Sequence, residues 1–170
     1  MPAAAIRLRL ARAPDAGAIA AMSRDLIEVG LSWKYDATKV AHLIADPETL
    51  ALVASDQLGV AGFAVLQFGD DSAHLVLLAV QPRRQRQGVA RRMLQWLFAS
   101  ASAAGVAKIS LELRAGNEAA RGFYRAMGFA EAGLVNHYYR DREAALRMLR
   151  VLRRGNGDAP QWQPPTLKRH

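Results

Sequence analysis

The sequence of 170 residues contains no cysteine. That excludes disulfides, thiolate-held metals and a cysteinyl intermediate in whatever reaction the chain performs. Histidine is sparse as well: His42, His74, His137 and His170 are far apart, and no two share a helix face at metal-chelating spacing. We therefore expect no metal. No apolar run reaches the ~18 residues a membrane-crossing helix needs, so no membrane partner is expected either. The opening "MPAAAIRLRLARAP" is rich in Arg and Ala but lacks the apolar stretch of about 7–15 residues that marks a secretory signal. Cytoplasm is the expected location.

Acidic residues are also in short supply. Lys and Arg number 23 against 15 Asp and Glu, giving a net charge of +8 and a pI near 10.6. Such an excess points to an anionic partner: nucleic acid, anionic lipid or a polyphosphate ligand. Aromatics make up only 7% and are not interleaved with basic residues as a nucleic-acid platform requires, which disfavours nucleic acid. The positive charge has two concentrations. Residues 153–170 hold Arg153, Arg154, Lys168 and Arg169 against Asp158 alone, in a Gly/Pro-rich segment expected to be a flexible tail. Residues 1–152 are expected to form one domain, and the chain as a whole is 51% apolar with a mean hydropathy of −0.03. The second concentration is Arg83, Arg84, Arg86, Arg91 and Arg92.

What the chain does have is clear periodicity. Ile6, Leu8 and Leu10 alternate with arginines, as in a strand. A helix follows, with Asp15 as its cap, Ile19, Met22, Leu26 and Val29 on one face, and Gly30 as its stop. A shorter helix begins near Asp36 or Thr38 and ends before Pro47. "LALVAS" and "VAGFAVLQF" flank "DQLG" as a hairpin, and "HLVLLAV" reads as a strand covered on both faces. The next helix places Val89, Met93, Trp96, Leu97, Ser100 and Ala104 together and stops at Gly105. "AKISLEL" alternates as a strand, "NEAARGFYRAMGF" is a helix from Asn117 to Gly128, and "GLVNHYY" and "AALRMLRVL" are two final strands around "RDRE". Strand, helix and strand in succession imply a right-handed parallel crossover within a mixed sheet.

The stretch "QRQGVARRML", Gln85–Leu94, begins where a buried strand ends. A glycine-bearing turn opening a helix offers unpaired amides at a positive dipole end, where phosphate binds readily. Gly88 permits close backbone approach, and the arginines offer charge-assisted contacts. The spacing fits neither a P-loop nor the dinucleotide fingerprint, so an ordinary solvated helix start is the other reading of this stretch.

Gln85-x-x-Gly88-x-Ala90, followed about thirty residues on by "LELRAGNEAARGFYRAMGF", resembles the paired motifs of the GNAT N-acetyltransferase superfamily. Within it the segment from Leu75 to Phe129 is most similar to the bacterial ribosomal-protein alanine acetyltransferases, with a looser likeness through "NHYYRDREAALRM". The resemblance implies an α/β (mixed α+β) fold: a mostly antiparallel sheet of about seven strands, parallel at the fourth and fifth, with about four helices. It implies acetyl-CoA as co-substrate. The loop Gln85, Arg86, Gln87, Gly88, Val89, Ala90 and Arg91 would hold the pyrophosphate. The backbone of Leu78, Ala79 and Val80 would run beside the pantetheine arm, and Asn117 would hydrogen-bond it or simply cap its helix.

It further implies Tyr124 as general acid: a phenol with pKa near ~10 can protonate a departing thiolate of pKa near ~8.5. Glu112 matches the general base, although the alternation of Lys108, Ser110 and Glu112 also suits a solvent-facing glutamate. With no cysteine, direct transfer in a ternary complex follows. A modest base favours an α-amine, pKa about 7.7–8.0, over lysine at about 10.4. The favoured acceptor is accordingly a protein or peptide N-terminus, with Trp33 and Tyr138 on the acceptor side. Trp33 and its neighbour Tyr35 line an acceptor pocket or simply cover the core. The alternatives are a small-molecule amine acetyltransferase of the same fold and, from another class, a basic nucleic-acid- or ribosome-binding module without turnover. Monomer and homodimer are equally compatible with the sequence.

Overall fold

A strand that must be covered on both faces dictates a layered architecture, and the chain builds one around "HLVLLAV". The computed structural model describes residues 5–139 and 143–153, the side chains of 136–139 and 143 excepted. Its strands are β1 (Arg7–Leu10), β2 (Thr49–Asp56), β3 (Gly59–Phe68), β4 (Ser72–Val80), β5 (Lys108–Arg114), β6 (Ala130–Tyr139) and β7 (Glu143–Val151). The helices are α1 (Ala16–Met22), α2 (Ala37–Ala45), α3 (Val89–Ala103) and α4 (Glu118–Ala126). One seven-stranded sheet runs in the order β1-β2-β3-β4-β5-β7-β6, antiparallel except where β4 meets β5. The α/β fold, the strand number and the parallel fourth and fifth strands are thus as the sequence implies.

Each face of the sheet has its own core. Leu52, Leu66, Ile109, Leu111 and Met148 pack against Met93, Leu94 and Leu97 of α3 on one side. Val53, Phe63, Val65 and Leu77 pack against Ile19 of α1 and Val40 of α2 on the other. Strand β4 changes allegiance along its length. Ala73 and Leu75 face the α3 side, Leu77 and Ala79 the α1 side. The cause is a bulge: Val65 pairs with Leu77 but Leu66 pairs with Leu75, so Val76 is one residue too many and shifts the side-chain phase. Parallel pairing to β5 stops nearby. It covers Ser72↔Lys108 to Leu75↔Leu111, and beyond that the two strands part.

Four local expectations are corrected. Asp15 makes no side-chain cap to α1; it is buried, accepts from the Arg12 amide at 2.8 Å, and pairs with Arg9 at 2.7 Å. Val29 is not on the core face but 56% exposed, because the turn after Met22, Ser23–Ile27, is a π-turn that rotates the chain. In α3 the buried stripe is Val89, Met93, Leu94, Leu97, Phe98 and Ala101, not the row containing Trp96, Ser100 and Ala104. The i, i+4, i+5, i+8, i+9 spacing of those residues makes the wider apolar stripe, and Trp96 lies outside it, 37% exposed. The fourth concerns the arginines of the anion loop and is taken up with the site.

Helix α4 ends where the sequence places Gly128, which has φ +91°. A second constraint applies there. Arg150 of β7 donates to the Met127 carbonyl and lays its guanidinium 4.1 Å from the Phe98 ring centroid. A Cβ at residue 128 would stand 2.7 Å from Arg150 Nη1. Gly128→Ala should therefore destabilise the fold by roughly 1–3 kcal/mol, the scale of a non-glycine residue forced into a sparsely populated backbone region. Denaturant midpoints of the two proteins, with unchanged m-values, check this.

Candidate active site

The end of β4 passes through a short 3-10 turn, Pro82–Arg84, into the anion loop. Two residues of that loop have positive φ: Arg86 at 61° and Gly88 at 79°. Alternation of ordinary and left-handed residues turns successive amides toward one side, the geometry of an anion nest. Gly88 is the N-cap of α3 and uses no side chain to cap it, and the first helical bond is Arg92 N–H to Gly88 C=O at 3.0 Å. The amides of Val89, Ala90 and Arg91 precede that bond, so they have no helical acceptor.

These elements line a pocket of about 370 Å³. It brings together Val80, Gln85, Arg86, Gly88, Val89, Ala90 and Arg91 from the sequence-expected set, and adds Arg84, Phe123, Ala126 and Met127. One end is therefore cationic and rich in amides, the other apolar. That combination suits an elongated ligand with a phosphate portion and a carbon-rich arm. Leu78, Ala79, Gln87 and Asn117 do not line it. Gln87 donates instead to the Arg83 carbonyl at 3.1 Å, and Gln85 to that of Val80 at 3.0 Å. Asn117 accepts from the Ala120 amide at 3.1 Å, as a helix cap does.

Not all the arginines face a ligand, which corrects the expectation drawn from their clustering. Arg83 and Arg84 both pair with Asp56, whose side chain is only 1% exposed at the β2–β3 hairpin, and Arg92 donates to the Ile6 carbonyl. Arg84, while holding Asp56, lines the pocket together with Arg86 and Arg91, whereas Arg83 and Arg92 do not. Hydrogen bonds from Arg83, from the Leu58 amide and from Arg84 hold the Asp56 carboxyl well below the ordinary carboxylate range.

The two candidate catalytic groups sit on β5 and on α4. Glu112 is the first residue of β5 beyond the last parallel rung and lies opposite Arg147 of β7. Arg147 Nη2 and Nε both donate to Glu112 Oε1, at 2.7 and 3.2 Å, and neither uses Oε2. Tyr124 lies on the other side of the sheet, buried in the α3–α4 core, with its ring 5.2 Å from Phe123 and 5.6 Å from Phe129. Burial pushes its phenol pKa up. Trp33 is 44% exposed in the loop before α2, whereas Tyr35 is half-buried against the α1-side core. The side chain of Tyr138 lies outside the described residues.

Residues 19–129 match the profile of the acetyltransferase (GNAT) family. The chain belongs to the GNAT family. Two relatives are informative beyond that. The [ribosomal protein bS18]-alanine N-acetyltransferase of Escherichia coli (strain K12) is 43% identical over 79 residues, 46% of this chain and 53% of that protein. The chain thus spans about half the length of the curated relatives it matches. The crystal structure of the ribosomal-protein-S18-alanine N-acetyltransferase from Escherichia coli superposes with a TM-score of 0.76 at 28% identity, covering 92% of this chain and 99% of that one. A third structure, the PaiA N-acetyltransferase of Thermoplasma acidophilum in complex with coenzyme A, has the same fold: TM-score 0.75 at 19% identity, over 86% of this chain and 99% of that one.

Around this GNAT site stand residues that the sequence reading missed. Arg147 anchors Glu112. His74 places Nδ1 3.0 Å from Ser110 Oγ, one rung before the β4–β5 pairing ends, and burial holds its imidazole pKa below the ordinary value. Neither was legible beforehand, because both depend on which strands become neighbours.

Two measurements check the loop. Gly88→Val puts a β-branched residue at φ +79°. It should weaken acetyl-CoA binding at least about tenfold, or ~1.4 kcal/mol, in a folded protein, as read by calorimetric titration. Asp56→Asn tests the anchor. A carboxyl whose folded pKa is depressed contributes stability that is present above its unfolded value, ~3.9, and lost as pH falls through the folded value. The variant should be less stable at pH about 7, and its stability should fall less steeply below pH ~4 than the parent's. Denaturation curves at both pH values read this.

Proposed function

We propose that the protein transfers the acetyl group of acetyl-CoA directly to a primary amine in the cytoplasm, and that the acceptor is the N-terminal α-amine of a protein. The observation that supports this is an amide-rich, arginine-lined start of α3 directly after β4, on the side where β4 has lost its β5 partner and Glu112 stands. The identity to the bS18-alanine enzyme supports the choice of acceptor.

Acetyl-CoA supplies the acetyl group as a thioester when bound. The residues of this chain then have separable tasks. The amides of Arg86–Ala90 and the Arg86 and Arg91 side chains hold the phosphates. The backbone of β4 beyond Leu75, which has no β5 partner, aligns the arm. Phe123 and Met127 exclude water from it. The net reaction forms one N–C bond and breaks one C–S bond. The amine loses a proton and the sulfur gains one. Tyr124 remains a neutral phenol at physiological pH because burial raises its pKa, so it is able to donate. Among the described residues none hydrogen-bonds its hydroxyl, which leaves that proton to the leaving sulfur. Glu112, pinned through Oε1, presents Oε2 to the acceptor amine or to a bridging water. An ordinary carboxylate is a weak base toward an ammonium, which suits an α-amine of pKa about 7.7–8.0 and not a lysine at about 10.4.

Tyr124→Phe keeps the ring and removes the proton donor. Its kcat and kcat/KM should fall together by about 10²–10⁴-fold, with acetyl-CoA affinity unchanged. Steady-state thiol release beside calorimetry measures both. The same assay should show a peptide with a free N-terminal alanine acetylated far faster than an Nα-blocked lysine peptide. Preference for the blocked peptide would overturn the acceptor assignment.

A further inference from the structure

The segment between α1 and α2 is fastened from two sides by side chains that have no part in the chemistry above. The π-turn after α1 is closed by the Glu28 amide donating to the Ser23 carbonyl at 2.8 Å. Its extra residue turns Glu28 inward and Val29 outward: Glu28 is 7% exposed and Val29 56%. The Glu28 carboxylate then accepts three hydrogen bonds. Oε2 takes the Ser23 hydroxyl at 2.8 Å, and Oε1 takes the amides of Lys34 and Tyr35 at 2.7 and 3.2 Å. Among the described residues no cation pairs with it. A buried carboxylate without a counter-ion is costly unless donors satisfy it, and a position serving packing alone would be better filled by an apolar side chain. Here the carboxylate closes residues 29–33 into a loop with joined ends.

The second fastening comes from the sheet. Arg114 Nη2 donates to the Val29 carbonyl at 2.5 Å and to the Ile27 carbonyl at 3.3 Å. These carbonyls lie at the C-terminal end of the helical segment, where a cation is favoured. Arg114 ends β5 and stands two residues beyond Glu112, so the alternation of a strand puts both on one face. The loop is thereby tied to the strand that carries the candidate base. Trp33 rides on it, partly in solvent, with the Arg24 guanidinium 5.3 Å from its ring centroid. The two polar fastenings fix the ends of the loop, and Tyr35 packs against the α1-side core after it.

We propose that Glu28 and Arg114 are positioning residues for the acceptor: they hold the Trp33 loop in register with Glu112, and acceptor affinity depends on them while acyl-donor affinity does not. No residue of 28–35 lines the pocket at the start of α3, so the two affinities are structurally separable. This rests on the function proposed above.

The test uses the full chain, a peptide with a free N-terminal alanine, and acetyl-CoA. Glu28→Ala and Arg114→Met should each raise the peptide KM at least tenfold and leave the acetyl-CoA KM within twofold. Glu28→Gln should restore the peptide KM to within about threefold of the parent, because an amide oxygen still accepts from both backbone amides and its NH2 can donate to Ser23. A structural role alone would lower the melting temperature without that selectivity. Unchanged peptide KM in Glu28→Ala, or parallel rises in both KM values, would overturn the proposal. A turnover-independent reading comes from Trp33 fluorescence in a background with Trp96 and Trp162, the other two tryptophans, replaced by Phe. Acrylamide quenching should rise in Glu28→Ala and return toward the parent in Glu28→Gln. If the parent acetylates no amine, the proposed function fails, while the quenching series still decides whether Glu28 fixes the loop: no change on Glu28→Ala overturns it.

Discussion

Parallel pairing between β4 and β5 lasts four rungs and then stops, and the rest of the site depends on that stop. A strand inside a sheet normally spends its backbone groups on both neighbours. Here β4 continues to Val80 with β3 on one side and nothing of β5 on the other. The bulge at Val76 falls at the same place and re-aims the side chains, so that Leu77 and Ala79 fill the α1-side core while Val80 serves the α3 side. Glu112 stands on β5 directly past the last shared rung. The start of α3, with its unpaired amides, follows directly, because β4 ends there.

Much of the chain's basic excess is structural. Arg9 holds Asp15, Arg83 and Arg84 hold Asp56, Arg147 holds Glu112, and Arg121 and Arg125 share Glu131. Arg114 and Arg150 bond carbonyls at the ends of helical segments. Hydrogen bonds to a charged group are worth about 1.5–3 kcal/mol when shielded, and exposed ion pairs about 0–1. Asp15, Asp56 and Glu112 are the shielded cases, and the last two lie beside the candidate site. The planar guanidinium suits this work because one side chain can reach two oxygens in fixed geometry.

The order of elements and the anion loop were legible in the sequence because both are local: a run of apolar residues, a glycine, a helix start. Glu112 and Tyr124 were found through the resemblance to the GNAT motifs; the structure puts Glu112 just past the last parallel rung of β5 and Tyr124 in the core beneath α4. What could not be read is long-range or lacks phase. "HLVLLAV" is apolar at nearly every position, so nothing in it marks Val76 as the bulged residue. Leu94 belongs to the true stripe and Trp96 lies beside it; both are apolar, and only packing against the sheet decides between them. Arg147 meets Glu112 across 35 residues of chain, and Arg114 meets Val29 across 85. The π-turn that buries Glu28 differs from an ordinary helical turn by one residue, and no composition signal announces it.

The parting of β4 and β5 has a metabolic corollary under the proposed function. The groups that would grip the ligand there, amides of the α3 start and the open edge of β4, meet phosphates and the arm. Spent coenzyme A carries the same parts as the charged form. Discrimination between the two is left to the small acetyl group, and a difference of a few buried atoms is worth only about 1–3 kcal/mol. With the site saturated, occupancy by the charged form would then follow the ratio of acylated to free coenzyme. The protein's output would fall as free coenzyme accumulates, even with acceptor in excess, so that modification of the acceptor follows the acyl supply of the cell.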